Sequence, residues 1–116
     1  MADFGLEVTN LHISARGTLT IETARAFAIE VVEAIGMTCS HDAEVFDYPA
    51  KDGVYIGFVL IQPLIESYVV IDYWANHQAF YMNITSCKDF EAGIVEDLLK
   101  SHGFARRTIA GGFLSL

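Results

Sequence analysis

The chain has little with which to hold an anion. Seven Lys and Arg side chains stand against 15 Asp and Glu, a net charge of −8 over 116 residues. A surface that repels phosphate argues against nucleic acid and against an anionic membrane, and favours a cationic ligand. The single basic doublet, Arg106-Arg107, is too small to reverse that balance. Cysteine is equally scarce. Cys39 and Cys87 make neither a disulfide framework nor a Cys-x-x-Cys metal pair. Long apolar runs are missing too: the longest, Val54 to Ile61, falls far short of the roughly 20 residues that span a bilayer. The opening Met-Ala-Asp-Phe-Gly-Leu-Glu lacks the basic region of a signal peptide. A cytoplasmic protein with reduced thiols and no membrane segment is the expectation. There is no Gly-rich phosphate loop, no His-Glu-x-x-His and no Gly-x-Ser-x-Gly. His12, His41, His77 and His102 have no ligand-like spacing, so no metal is expected.

What the chain does have is apolar side chains, at 53% with a mean hydropathy of +0.36. A chain of 12.8 kDa matches the commonest domain size and can bury roughly two-thirds of its unfolded surface without staples. Apolar content this high leaves surplus surface, and a subunit interface is the simplest place for it.

Periodicity divides the chain into eight elements. Leu6 to Ile13 alternates as a strand, with a slip of phase near Thr9-Asn10. Ile21 to Ile35 repeats apolar residues at helical spacing (Ile21, Ala24, Phe27, Ala28, Val31, Ile35), after N-cap candidates in Thr18 to Thr20 and before a Gly36 stop. Met37 to Tyr48 holds a weak strand ending in Val45-Phe46, and Pro49 to Gly53 is a turn. Val54 to Ile61 predicts a central strand that Pro63 ends, because proline cannot donate to a ladder. Tyr68 to Trp74 and Ala79 to Thr85 form a strand pair. Asp89 is the candidate cap of a second helix running to His102, burying Phe90, Ile94, Val95, Leu98 and Leu99. Ala105 to Leu114 is a last strand, with Gly111-Gly112 free to bulge. The order β-α-β-β-β-β-α-β predicts an α+β fold: a two-layer sandwich of one mostly antiparallel sheet of about six strands, with two helices on one face. The other face would be free for a partner subunit.

Chemistry concentrates in Leu64 to Trp74. Glu66-Ser67 heads an apolar, β-branched run, where buried sheet has little use for an acid and a hydroxyl side by side. Cys87 follows Ser67 by 20 residues (87 − 67). By pattern alone these are a polar strand end and a small buried thiol. The wider set of His12, Glu66-Ser67, Ile71, Trp74, Asn83 and Ser86-Cys87, however, resembles the small bacterial and archaeal S-adenosylmethionine decarboxylases. In that family a Leu/Ile-flanked histidine precedes a Glu-Ser pair by about 55 residues, as here (67 − 12). The family continues as Glu-Ser-His-x-x-Ile-His-Thr-Trp-Pro-Glu, then reaches Asp-x-Phe-Thr-Cys-Gly with its cysteine 20 after the serine. Glu66 to Cys87 aligns with this pattern without a gap.

The resemblance implies one S-adenosylmethionine-decarboxylase-like domain over residues 1–116 and a lyase of polyamine biosynthesis. It implies self-cleavage between Glu66 and Ser67, with Ser67 becoming an N-terminal pyruvoyl cofactor that takes up electrons as CO₂ leaves. Catalytic roles would fall to Ser67, to Cys87 as proton donor and to Asp72 at the position of the processing histidine. Substrate contacts would come from Glu66, Trp74, and Phe46 or Tyr48 as the adenine-stacking ring. A cationic amino-acid derivative as substrate and a homodimer are implied as well. The sequence departs from the family at Tyr68 and Asp72, each a histidine there, at Ala75-Asn76 for Pro-Glu, and at Lys88 for Gly. The family's upstream processing serine also has no match, since Val54 to Leu64 contains none. The alternative is an unprocessed, non-catalytic homologue that binds a small ligand or regulates a partner decarboxylase. An unrelated α+β dimer with coincidental matches is the third reading.

Overall fold

The computed structural model describes the backbone of residues 7–115 and the side chains of residues 8–112. Eight elements follow the expected order: β1 (Glu7–Arg16), α1 (Ile21–Ala34), β2 (Glu44–Asp47), β3 (Gly57–Leu64), β4 (Ser67–Trp74), β5 (Ala79–Ser86), α2 (Ala92–Ser101) and β6 (Ala105–Ser115). Leu6, the expected first residue of β1, lies outside the described residues. The six strands form one sheet in the order β2-β3-β4-β5-β1-β6, with every adjacent pair antiparallel. β2 to β5 are joined as successive neighbours. β1 instead inserts between β5 and β6, so α2 carries the chain past it.

One face of the sheet makes the core. Leu11, Ile13 and Ala15 of β1, Phe58, Leu60 and Leu64 of β3, Val69, Ile71 and Tyr73 of β4, and Phe80, Met82 and Ile84 of β5 are all buried. Both helices pack there. Phe27 of α1 meets the edges of Phe80 (6.3 Å between centroids) and Phe104 (5.5 Å). Burying each such ring stabilises the fold by about 1.5–3 kcal/mol before entropy is counted. Thr20 caps α1, accepting from the Thr23 N–H while Thr23 Oγ1 accepts from the Thr20 N–H. Gly36, at φ 75°, stops the helix as expected.

Several local expectations are corrected. β1 does not slip at Thr9-Asn10; Val8 and Asn10 simply face away from the core while Leu11 and Ile13 face it. β3 begins at Gly57 rather than Val54, and it continues through Pro63 to Leu64. In an antiparallel strand a residue's own N and C=O point to the same side. The Pro63 carbonyl accepts from the Ser40 N–H at 3.2 Å, so its ring nitrogen also points away from β4, where no ladder bond is lost. Gly57 has φ 144°, and a Cβ there would lie 1.8 Å from the Tyr73 carbonyl oxygen, so only glycine fits. Asp89 does not cap α2. The N-cap is Glu91, with no side-chain bond, and Asp89 accepts from Thr9 Oγ1 at 3.4 Å. Ile94 is 37% exposed, because α2 buries only the Val95–Leu99 line. The bulge in β6 falls where Ser14 pairs with Thr108 and Ala15 with Arg106, leaving Arg107 extra; Gly111-Gly112 pair in register.

Candidate functional site

Glu66 and Ser67 sit at a two-residue hairpin tip. Leu64 and Ser67 are the last cross-strand pair between β3 and β4, which leaves Ile65-Glu66 to make the turn. Glu66 adopts φ 59°, a left-handed conformation that a side chain other than glycine, Asn or Asp takes only when its surroundings impose it. Those surroundings are visible. The Ile65 N–H donates to the Thr38 carbonyl at 3.1 Å, and Cys39 bridges to Leu64, so the segment after α1 pins the hairpin from one side.

From the other side comes the end of β5. The Cys87 N–H donates to Ser67 Oγ at 3.0 Å. Ser86 is fully buried, accepting from the Lys88 N–H at 3.0 Å and donating to Met37 Sδ at 3.4 Å. The Cys87 thiol is free and half-buried. Glu66 and Cys87, with Met37, Thr38, Ile65 and Lys88, border one open depression at this end of the sheet. Three sequence-predicted residues, Glu66, Ser67 and Cys87, are thus gathered in one place.

The remaining predicted residues gather elsewhere. Residues directly opposite one another in antiparallel strands share a face, so the pairing register maps the face that the helices leave open. One row across it reads Phe46, Val59, Asp72, Tyr81, Ser14 and Thr108; the next reads Glu44, Ile61, Val70, Asn83, His12 and Ala110. Asp72 therefore lies on the face opposite the core, and Ser67, in phase with Val69 and Ile71, does not share it. Five positions along a strand add a separation of about 16 Å. Trp74 and Phe46 are on the same face as Asp72, 37% and 53% exposed.

Asp72 accepts a hydrogen bond from the Tyr48 hydroxyl. Burial, then that bond and the carboxylate charge, push the Tyr48 phenol up to about 12. Tyr81 faces Asp72 across the strand pair, and burial followed by the Asp72 charge raises it as well. The Tyr81 hydroxyl is hydrogen-bonded to His12 Nδ1, with the two rings stacked at 5.6 Å. Beside them Asn10 Nδ2 donates to Asn83 Oδ1 (2.9 Å) and Thr85 Oγ1 (2.6 Å). Sequence reading singled out Tyr48 and Asp72 separately and missed Tyr81. The signal was present in the alternation, since Asp72, Tyr81 and Asn83 all fall out of phase with Ile71, Met82 and Ile84. Among the described residues no group of three or more His, Cys, Asp or Glu is placed to hold a metal ion. No helix there is long and apolar enough to cross a membrane.

One six-stranded antiparallel sheet with two helices on one face defines the class as an α+β sandwich. The chain is similar in structure to the adenosylmethionine decarboxylase from Aquifex aeolicus VF5, with a TM-score of 0.65 over 96% of this chain and 90% of that one. Identity between the two is 14%, so the likeness is one of fold. No family model and no curated protein matches the chain.

Proposed function

We propose that the protein is a divergent S-adenosylmethionine-decarboxylase-like protein whose candidate self-cleavage junction is Glu66–Ser67. The observation that carries this is the hydrogen bond from the Cys87 N–H to Ser67 Oγ beside the left-handed Glu66. It joins an acid, a hydroxyl and a thiol-bearing residue that lie 20 positions apart in sequence (87 − 67), on the fold that the Aquifex aeolicus enzyme also has. A pyruvoyl group made from Ser67 would fit this position, since the half-buried serine directly follows the exposed Ile65-Glu66 turn and cleavage would free it as a new N-terminus. When present, such a group supplies a carbonyl that accepts the electrons released with CO₂. The chain's own contributions would be positional. The Cys87 N–H would hold Ser67 Oγ in place, Glu66 would offer a carboxylate to a cationic substrate, and Cys87, which borders the same depression, would serve as an acid. The substrate class supported by the charge of −8 is a cationic amino-acid derivative. A cytoplasmic homodimer closed over the open sheet face, where Phe46, Tyr68 and Trp74 are exposed, completes the reading.

One observation favours the second reading, an unprocessed homologue that binds a small ligand or regulates a partner decarboxylase. At the processing histidine's position in the resemblance stands the carboxylate of Asp72, engaged as an acceptor by the Tyr48 hydroxyl. Intact mass spectrometry separates the two. Self-cleavage yields fragments 1–66 and 67–116, and Ser67→Ala abolishes both the fragmentation and any CO₂ release. A single 12.8 kDa species that survives prolonged incubation overturns the processed reading in favour of the second.

A further inference from the structure

We infer that a small cavity between α1 and the segment joining α1 to β2 is a binding site for a small α-amino acid in its zwitterionic form. The cavity, of about 130 Å³, has Arg25 and Ile29 of α1 on one side and Gln62 of β3 on another. Cys39, His41, Asp42 and Ala43 of the connecting segment close it. It shares no lining residue with the depression bordered by Glu66 and Cys87, so the inference goes beyond the function proposed above and does not rest on it.

The first support is a buried carbonyl with no donor. Cys39 bridges to Leu64 and Glu44 pairs with Ile61, so residues 40–43 span the length that Gln62 and Pro63 alone cover. The surplus arches out, and α1 holds it, because Arg25 Nη1 donates to the Ala43 carbonyl at 3.1 Å. Gln62 sits under the arch, 2% exposed and in phase with the apolar Phe58, Leu60 and Leu64. Its Nε2 donates to the carbonyls of His41 (2.8 Å) and Pro63 (3.0 Å). Both neighbours are acceptors, so the amide nitrogen must face them and Oε1 must turn away. Among the described residues Oε1 receives no hydrogen bond, yet no enclosed side-chain nitrogen or oxygen there lacks a partner. The oxygen therefore opens on the cavity that Gln62 lines. A carbonyl so deeply placed is costly without a donor, and an occupant that brings an N–H removes that cost.

The second support is a pair of opposite charges that share the cavity without meeting. Arg25 and Asp42 both line it, but the ion pairs among the described residues are Glu30–His102 and Glu96–Arg106. Arg25 gives one of its five N–H groups to Ala43 and keeps the others for a carboxylate. The Asp42 carboxylate and Gln62 Oε1 can only accept, which suits an ammonium. A simple anion would answer Arg25 and leave the acceptors unmatched; a simple amine would do the reverse. A hard metal ion wants several oxygen ligands and would be repelled by the guanidinium. A zwitterion carries both charges a few bonds apart. Size narrows the choice further. A cavity of about 150 Å³ holds benzene, so this one admits about six non-hydrogen atoms, as in alanine. Ile29 and Ala43 offer its side chain apolar contact.

Cys39, a free and exposed thiol in the cavity wall, serves as the reporter. In Cys87→Ser protein it is the single cysteine, and its alkylation by iodoacetamide can be timed by intact mass. The reaction is run at neutral pH and constant ionic strength with increasing L-alanine and, in parallel, with propionate or ethylammonium. The expected result is a several-fold slowing that saturates with alanine and is absent with either half-charged analogue. Arg25→Gln should raise the alanine concentration for half-protection about tenfold or more, as loss of a charged hydrogen bond does. No protection, protection that never saturates, equal protection by propionate or ethylammonium, or an unchanged Arg25→Gln overturns the site. Should Arg25→Gln fail to fold by circular dichroism, Asp42→Asn at an exposed position carries the same expectation and the same power to refute. Cleavage at Glu66–Ser67 can fail in its own intact-mass experiment without altering any of these outcomes.

Discussion

The two faces of this sheet share one backbone ladder yet do different work. On the helix side Leu60, Ile71, Phe80, Met82 and Ile84 are wholly buried and bring no polar atom with them. On the open side the same strands present Asp72, Tyr81 and Asn83, hydrogen-bonded to Tyr48, His12 and Asn10 respectively, on a face that also exposes Phe46, Tyr68 and Trp74. A side-chain period of two is what allows it, because each strand can satisfy a dry layer and a polar-aromatic layer at once. The comparison teaches that an apolar strand need not be buried twice. Where the core already has one face, the other is free to carry polar chemistry.

The difference can be broken first on the dry side. Phe80→Ala removes a ring that packs on Phe27 and Phe104 and should destabilise the fold by about 3–5 kcal/mol, read from urea unfolding. On the open side Val70→Asp should leave the unfolding midpoint within a modest range of the parent but convert a dimer to monomer in sedimentation. A parent that is already monomeric removes the homodimer from the proposal. Asp72→Asn comes next in size. It should lower the Tyr48 titration from about 12 toward, but not to, the usual 10, followed by ultraviolet absorbance, because burial remains after the charge is gone. The sign for stability follows. A phenol raised by folding contributes fully below about pH 10, and that contribution is lost as pH rises toward 12. The parent should therefore lose more stability across that window than Tyr48→Phe does. Smallest of all is the effect of Asp72→His on self-cleavage. With the side chain on the far face and about 16 Å along the strand from Ser67, no acceleration is expected by intact mass. Faster cleavage would mean that the two faces communicate during processing.

Much of the fold was legible in the sequence, and the reasons are local. The helical spacing of Ala24, Phe27, Ala28 and Val31, bounded by a threonine cap and Gly36, leaves α1 few alternatives. The hairpins between β3, β4 and β5 join consecutive runs through short turns, so adjacency in sequence became adjacency in space. Local reasoning failed where a distant segment changed the rule. Pro63 reads as a strand end until the Thr38–Ser40 segment is seen to lie alongside and leave its nitrogen no ladder partner to miss. Asp89 reads as a cap until Thr9, 80 residues away, takes its carboxylate. The candidate site divided in the same manner. Ser67 and Cys87 were paired by the family resemblance and are hydrogen-bonded in space, whereas Asp72 was grouped with them by the same resemblance and faces the opposite side of the sheet.

By itself, then, the sequence determined the number, kind and order of the elements, since these follow from periodicity, caps and turns within a few residues. It also placed an acid and a hydroxyl at the head of β4 and a thiol at the end of β5. Only the tertiary structure decided that β1 would lie between β5 and β6, because strand pairing at long range depends on register and packing that no local pattern records. That insertion sets His12 beside Tyr81 and Asn10 beside Asn83 and Thr85, giving the open face its polar network. The same alternation that buries Ile71 turns Asp72 away from Ser67. One stretch of chain thus serves two separate regions.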